Sequence, residues 1–175
     1  MLNRSTTTPT ALTASASQPP GAPGCPPSAL AVRLADGAGG VAGYPVDFTN
    51  QSGQACALRG YPSVAAYDLR AEGYVQVGAP ARADPRAAPR PVVLRPGGTA
   101  HATVTSAPAA APACHRVPVT GLRVIPPGTS TPDYLRVRFS ACSVAGPAAP
   151  PGLNVQAVQP GPGPVAVTAP ASNAR

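Results

Sequence analysis

Residues 41–62 read VAGYPVDFTNQSGQACALRGYP, and this stretch decides the fold. In its part 44–48, YPVDF, large apolar side chains occupy every second position, which is the period of a strand with one face on a core. Residues 50–53, NQSG, are typical of a turn, because asparagine and serine side chains bind nearby backbone groups and glycine tolerates a positive φ. The stretch therefore predicts a half-buried strand that turns to deliver Cys56, with a new strand starting after Pro62.

Length and composition favour a single all-β domain. The chain of 175 residues has room for one domain with a real core, and two domains would be cramped. Its 26 prolines leave no clean window for a long helix. Tryptophan is absent and aromatic residues make up 4% of the chain, so the core must consist of small and branched side chains. We therefore expect a narrow margin of stability.

Short alternating runs continue along the chain and are separated by glycine and proline turns. Their number and spacing are typical of a two-sheet sandwich of about eight short strands. The expected strands cover residues 28–34, 44–49, 63–68, 74–77, 91–94, 99–105, 121–125 and 134–140, with one more at 153–157. In the sixth of them Ala100, Ala102 and Val104 are expected to point inward, and residues 78–90 are expected to form a loop.

Both ends of the chain differ in composition from the middle. Residues 1–24 are rich in Ser, Thr, Pro and Ala and predict a disordered arm, residues 25–158 the sandwich domain, and residues 159–175 a second disordered tail. The arm holds no apolar run long enough for a secretory signal or a membrane span. Since the cysteines indicate export, we expect an export segment to precede Met1.

The four cysteines are Cys25, Cys56, Cys114 and Cys142. They form no C-x-x-C pair, and the two histidines do not add zinc spacing, so we expect no metal and no cofactor. Four cysteines allow three pairings. The pairing Cys25–Cys56 with Cys114–Cys142 closes two local loops and is favoured, while the other two remain open. Disulfides indicate an oxidising compartment, hence an extracellular or cell-envelope location.

Several of these features together resemble a known family, the actinobacterial domain of unknown function 4232. They are Cys25, the segment VDFTN at 46–50, the segment CALRGYP at 56–62, the turn LRPG at 94–97, and Cys114 with Cys142. The combination of F-T-N with C-x-L-x-G-Y-P is fairly specific. The resemblance implies an immunoglobulin-like sandwich with two disulfides in an exported protein. It implies no activity and carries over no catalytic residues.

Residues able to support catalysis are few. His101 lies on the outward parity of its strand, and no G-x-S-x-G motif accompanies it. His115 follows Cys114, but adjacent side chains of an extended chain diverge, and the thiol is expected to be oxidised. Asp47 is expected to meet a cross-strand partner. We therefore expect no enzyme, and an extracellular hydrolase with a cryptic active site is the alternative.

Arginine supplies every basic residue of the chain, which carries a formal net charge of +7. If strands 121–125 and 134–140 pair, alternation places Arg123, Arg136 and Arg138, here called the arginine set, on one exposed face. Such a face suits the carboxylate or phosphate groups of anionic cell-wall or membrane polymers. The alternative is a merely solvated face. The loop residues Arg82, Arg86 and Arg90 form a second basic group.

These observations predict a non-catalytic, exported binding or structural module at the bacterial cell envelope. No aromatic residues are interleaved with the basic ones in the sequence, so we expect no nucleic-acid partner. We also expect a monomer.

Overall fold

The computed structural model describes residues 21–36, 43–106, 115–142 and 152–164. Within these ranges the chain is all-β apart from one 3-10 turn, Pro27–Ala29, and no helix is long and apolar enough to cross a membrane. The strands are β1 Leu30–Leu34, β2 Tyr44–Asn50, β3 Cys56–Leu58, β4 Ser63–Arg70, β5 Gly73–Val77, β6 Arg82–Ala83, β7 Val92–Leu94, β8 Thr99–Ser106, β9 Arg116–Ile125, β10 Asp133–Cys142, β11 Leu153–Val155 and β12 Gln159–Pro160.

The strands form two sheets and a short ribbon, which confirms the predicted all-β sandwich. The larger sheet has the order β1-β2-β8-β11-β6, and β12 also pairs with β8. The second sheet has the order β10-β9-β4-β5 and is antiparallel throughout. The ribbon consists of β3 and β7. The structure therefore has twelve strands in its described ranges, where the sequence predicts about eight.

The core lies between the two sheets and is aliphatic, as the composition predicts. Phe48 is the one aromatic residue among the buried core residues of the described ranges, and it is fully buried on β2. It pairs with Ala100 of β8, and the neighbouring Val46 pairs with Ala102. Small side chains on β8 thus lie opposite larger ones on β2, which lets the sheet pack closely. The predicted inward positions Ala100, Ala102 and Val104 are all fully buried.

The ribbon differs from the sequence prediction. The predicted strands 91–94 and 99–105 are present as β7 and β8, with a turn between them in which the Gly98 N–H donates to Arg95 O at 2.8 Å. The two strands do not pair with each other, because β7 pairs with β3 and β8 pairs with β2. β3 itself is absent from the prediction, and its three residues form a strand because β7 lies beside them. The same holds for the two-residue strand β6, which lies inside the predicted loop 78–90 and pairs with β11.

The hydrogen-bonded structure extends a few residues beyond both predicted domain boundaries. The Ala57 N–H donates to Pro23 O at 2.8 Å, so the segment before Cys25 runs along β3. At the other end β12 pairs with β8, and the Gly163 N–H donates to Asp47 Oδ1 at 2.7 Å. The remaining parts of the predicted arm and tail, 1–20 and 165–175, lie outside the described residues.

The predicted Cys25–Cys56 disulfide is confirmed. It joins the start of the domain to β3, which explains why the chain before Cys25 follows that strand. Cys142 is also disulfide-bonded. Its expected partner, Cys114, lies outside the described residues, so the Cys114–Cys142 bridge stays a prediction.

Asn50, at the end of β2, is a buried polar residue whose side chain is completely hydrogen-bonded. Its amide Nδ2 donates to Gln54 O at 2.8 Å and to Leu94 O at 3.0 Å. Its Oδ1 accepts from the N–H and the hydroxyl of Ser52 at 2.9 and 2.7 Å. Both donors and both acceptor positions of the amide are therefore used, although the residue is fully buried. The turn that the sequence predicts at 50–53 is held by this side chain.

The loop between β5 and β7 is held by Asp84. The carboxylate of Asp84 is buried and accepts hydrogen bonds from the side chain and the backbone N–H of Arg86. These bonds lower the pKa of Asp84 below its ordinary value of 3.8, and the bond from the Arg86 side chain has the larger effect. Asp133 at the start of β10 is the opposite case, because partial burial raises the pKa of its carboxyl.

We predict that Asn50→Asp destabilises the domain by about 3 kcal/mol, because it replaces the donor nitrogen by an oxygen that faces two carbonyl oxygens. The measurement is urea-induced unfolding at pH 7. Gln51→Glu makes the same amide-to-acid change at the adjacent exposed residue and should stay within about 0.5 kcal/mol of the wild type. Equal losses in both variants would contradict the structural role of Asn50.

We predict that replacing aspartate by asparagine has opposite effects on the stability of the fold at Asp84 and at Asp133. A lowered folded-state pKa stabilises the fold above the ordinary value of 3.8, and this contribution is lost as pH falls through the folded-state pKa. A raised folded-state pKa penalises the fold once the group ionises, and this penalty disappears as pH falls. Asp84→Asn should therefore lower the melting temperature at pH 7, and Asp133→Asn should raise it.

The Asp133→Asn difference should shrink as pH falls toward 3.8, because the raised pKa makes this carboxyl neutral first. The Asp84→Asn difference should shrink only as pH falls below 3.8, because the lowered pKa keeps that carboxylate ionised longer. Thermal unfolding between pH 3 and pH 7 checks this, and each variant serves as the control for the other. Shifts of the same sign at pH 7 would show that the two environments do not differ as described.

Candidate binding face

The outer surface of the four-stranded sheet carries aromatic and cationic side chains together. Inward positions of β4 and β9, such as Val64, Ala66, Leu122 and Val124, are buried in the core. The alternate positions on all four strands point away from the core, and they carry three tyrosines and the arginine set. We call this surface the binding face, and it is defined by Tyr67, Tyr74, Tyr134, Arg123, Arg136 and Arg138.

The three tyrosines form one group of touching rings, here called the tyrosine cluster. Tyr74 and Tyr134 are stacked with ring centroids 5.1 Å apart, and Tyr67 meets the two rings edge-on at 6.3 and 6.2 Å. Tyr74 and Tyr134 are 48% and 51% exposed. The cluster thus presents aromatic ring surface to solvent.

Gly121 of β9 makes this arrangement possible. Tyr74 lies on β5 and Tyr134 on β10, at the two edges of the sheet, with β9 and β4 between them. A Cβ atom built on Gly121 would lie 3.3 Å from Leu135 O and 3.9 Å from the Tyr74 ring. Since glycine has no side chain here, the rings can meet above the middle of the sheet. The partner of Gly121 across the β4–β9 ladder is Tyr67, the third member of the cluster.

The arginine set lies beside the cluster. Arg123 pairs directly with Tyr134 across the β9–β10 ladder, and Arg136 is two residues further along β10. Arg136 and Arg138 are exposed, and Arg123 is half-buried. Within the described residues no hydrogen bond or ion pair engages any of the three guanidinium groups. Their donors are therefore available to a ligand.

A β-bulge lies at Arg138. The register of β9 and β10 shifts so that Val137 and Arg138 lie opposite the single residue Thr120. Next to the bulge is a shallow depression of about 470 Å³, whose lining includes the ring of Tyr74 on one side and Arg136 and Arg138 on the other. Leu69, Thr120 and Val137 complete the lining. Aromatic and cationic side chains thus line one concave surface.

The acidic residues of the sheet are turned away from this face or already engaged. None of the outward positions on the four strands holds an aspartate or glutamate, and Glu72 lies in the turn between β4 and β5. Asp68 and Asp133 occupy the inward parity of β4 and β10. The Asp68 carboxylate accepts from Arg70 Nε at 3.4 Å and from the Thr120 hydroxyl at 3.3 Å. The face is therefore complementary to anions and to aromatic or ring-shaped groups.

Sequence reasoning missed the tyrosine cluster. Its premise that no aromatics accompany the basic residues is wrong for the folded chain, because Tyr67, Tyr74 and Tyr134 come from separate strands and meet only in the fold. A usable signal was present, since each tyrosine occupies an outward position of an alternating run. The exclusion of nucleic acid as a partner stays a prediction.

The second basic group does not form a comparable site. Arg86 is engaged with Asp84, and Arg82 lies on β6. Arg90 lines another depression, of about 570 Å³, with neighbours that are mostly alanine, proline and valine. The three arginines of residues 78–90 therefore do not lie together on one surface that could bind a ligand.

The remaining candidates for chemistry lie elsewhere. The Nδ1 of His101 is 2.9 Å from Gly161 O, so this histidine helps to hold the segment after β12. Asp47, for which the sequence predicts a cross-strand partner, lies opposite Arg33 of β1 and His101 of β8. Its carboxylate accepts a hydrogen bond from the Gly163 N–H. His115 is exposed before β9, and Cys114 lies outside the described residues. Neither histidine lines either depression, and the described residues contain no cluster of three or more metal-binding side chains.

Comparison with known proteins identifies the family. A family model described as domain of unknown function (DUF4232) matches residues 25–159. Neither a comparison with curated proteins nor one with solved structures finds a match. The matched range begins at Cys25 and ends at the first residue of β12, so it covers strands β1 to β11. The chain therefore belongs to the DUF4232 family.

Proposed function

We propose that this domain is a non-catalytic binding module of the bacterial cell envelope that holds anionic polymers on its binding face. The observation that carries the proposal is the arginine set, three guanidinium groups that lack a partner among the described residues and lie on a sheet face without acidic side chains at its outward positions. A guanidinium group is planar and presents paired donors that match a carboxylate or a phosphate.

A polymer suits this face better than a small anion. Each exposed ion pair contributes little, typically about 0.2–1 kcal/mol. Repeated charges along a polymer let several weak contacts act together, because after the first contact the next ones form at a high effective concentration. The depression between Tyr74 and the two arginines of β10 is shallow and open to solvent, which allows a chain to pass across it.

The cysteine chemistry supports an external location. The Cys25–Cys56 disulfide joins residues 31 positions apart, and structural disulfides persist in oxidising compartments. In a domain whose described core has a single buried aromatic residue, a bridge of this span contributes on the order of 3 kcal/mol. A module with this bond fits the cell exterior, where anionic envelope polymers are found. We propose that it acts there as a monomer.

We predict that the triple substitution Arg123→Ser, Arg136→Ser and Arg138→Ser removes retention on isolated anionic cell-wall material at low salt. The wild-type protein should be retained and should elute as ionic strength rises, because salt screens these contacts. The control is the triple substitution Arg33→Ser, Arg59→Ser and Arg95→Ser. It removes the same charge from three exposed arginines that lie outside the four-stranded sheet.

The control variant should be retained nearly as strongly as the wild type. Equal weakening of both triple variants would mean that net charge alone causes retention. Unchanged retention of the binding-face variant would remove the proposal.

A further inference from the structure

We infer that the polymer is an acidic polysaccharide, whose sugar rings pack on the tyrosine cluster while its carboxylate or phosphate groups meet the arginine set. This inference rests on the proposed function and names the class of polymer. It is carried by the tyrosines, which a purely electrostatic site does not need.

The placement of the tyrosines is the first argument. The chain has five tyrosines, two phenylalanines and no tryptophan. Tyr44 and Tyr61 pack against the core, whereas Tyr67, Tyr74 and Tyr134 lie outside it on one face. A protein whose core is poor in aromatic side chains thus places three of them together on its surface, with Tyr74 and Tyr134 exposed and Tyr67 half-buried. Exposed apolar patches of this kind mark interaction surfaces.

The chemistry of the rings is the second argument. The face of an aromatic ring is electron-rich, and the C–H groups on one side of a pyranose are its electropositive complement. Tyrosine adds a hydroxyl that can bond the hydroxyl groups of a sugar. Tyr74 lines the same depression as Arg136 and Arg138, so a sugar over this ring would place its acidic group beside two guanidinium groups.

The face fits other partners less well. Because Tyr74 and Tyr134 stack on each other, each ring offers one face to a ligand. A disulfide-bonded domain of an oxidising compartment meets polysaccharides more readily than nucleic acid. A membrane would require aliphatic side chains to enter the lipid, and the exposed aliphatic side chain at this depression is Leu69 alone among the described residues.

The test compares polymers that separate sugar from charge. Polygalacturonate and phosphomannan combine sugar with carboxylate and phosphate, respectively. Polyglutamate and polyphosphate supply the same two charged groups without sugar, and dextran supplies sugar without charge. We expect the wild-type protein to bind at least one acidic polysaccharide roughly tenfold more tightly than the sugar-free polymer with the same charged group, a difference typical of stacking on aromatic side chains.

The variant Tyr74→Ser/Tyr134→Ser should lose this preference and bind sugar-bearing and sugar-free polyanions equally. Tyr74→Phe/Tyr134→Phe keeps the ring faces and should retain the preference within a few fold. Val75→Ser/Val93→Ser removes two other exposed apolar side chains from strands and should behave like the wild type. Thermal unfolding of each variant establishes that it is folded.

A second measurement needs no substitution. Because the chain contains no tryptophan, its intrinsic emission comes from tyrosine, and three of the five tyrosines belong to the cluster. Binding of the acidic polysaccharide should protect this emission from quenching by acrylamide, and dextran at the same concentration should not.

The outcomes separate the two proposals. Equal binding of all polyanions, with no effect of Tyr74→Ser/Tyr134→Ser, would overturn the polysaccharide inference and leave the proposed function standing. Failure to bind any polyanion would overturn both. Preferential binding of a single-stranded oligonucleotide or of anionic lipid vesicles would overturn the inference. A wild-type dimer that the Tyr74→Ser/Tyr134→Ser variant cannot form would overturn it too, because the cluster would then be an interface between copies.

Discussion

The buried amide of Asn50 connects the larger sheet to the ribbon of β3 and β7. Its side chain connects the end of β2 to the carbonyl of Leu94 on β7, while its backbone exchanges hydrogen bonds with the turn at Gly97 and Gly98. The same residue orders the turn that leads to Cys56. Through it the ribbon of β3 and β7 is fixed to the larger sheet. A buried polar group with every bond satisfied favours one arrangement, since any other leaves donors unpaired.

This dependence on a polar group follows from the composition. With one buried aromatic residue in the described core, little packing energy comes from large side chains, and alanines such as Ala100 and Ala102 fill much of the space beside β2. At one side the two sheets meet through the rings of Tyr44 on β2 and Phe139 on β10, whose centroids are 4.7 Å apart. The Cys25–Cys56 bridge also stabilises the domain without adding side chains to the core, because it restricts the unfolded chain.

The sequence could predict the strands in which apolar and polar side chains alternate over several residues. Alternation located β2, β8, β9 and β10 and the inward side chains of β8, because those strands are seven to ten residues long. β3, β6 and β12, which the sequence did not predict, have two or three residues and form because partner strands lie beside them. The tyrosine cluster depends on the register between strands distant in sequence, and on a glycine beneath the rings. Pairing of this kind is a tertiary property that local patterns do not contain.

The binding face and the core are two sides of the same strands, and this is what makes the face suitable for recognition. Leu122 and Val124 are fully buried, and they fix β9 in the sandwich. The intervening Arg123 and the preceding Gly121 therefore occupy fixed backbone positions on the outer side. Contacts among the three tyrosine rings further restrict their side chains before any ligand arrives. Less freedom is then lost on binding, which matters most for a face whose individual contacts are weak.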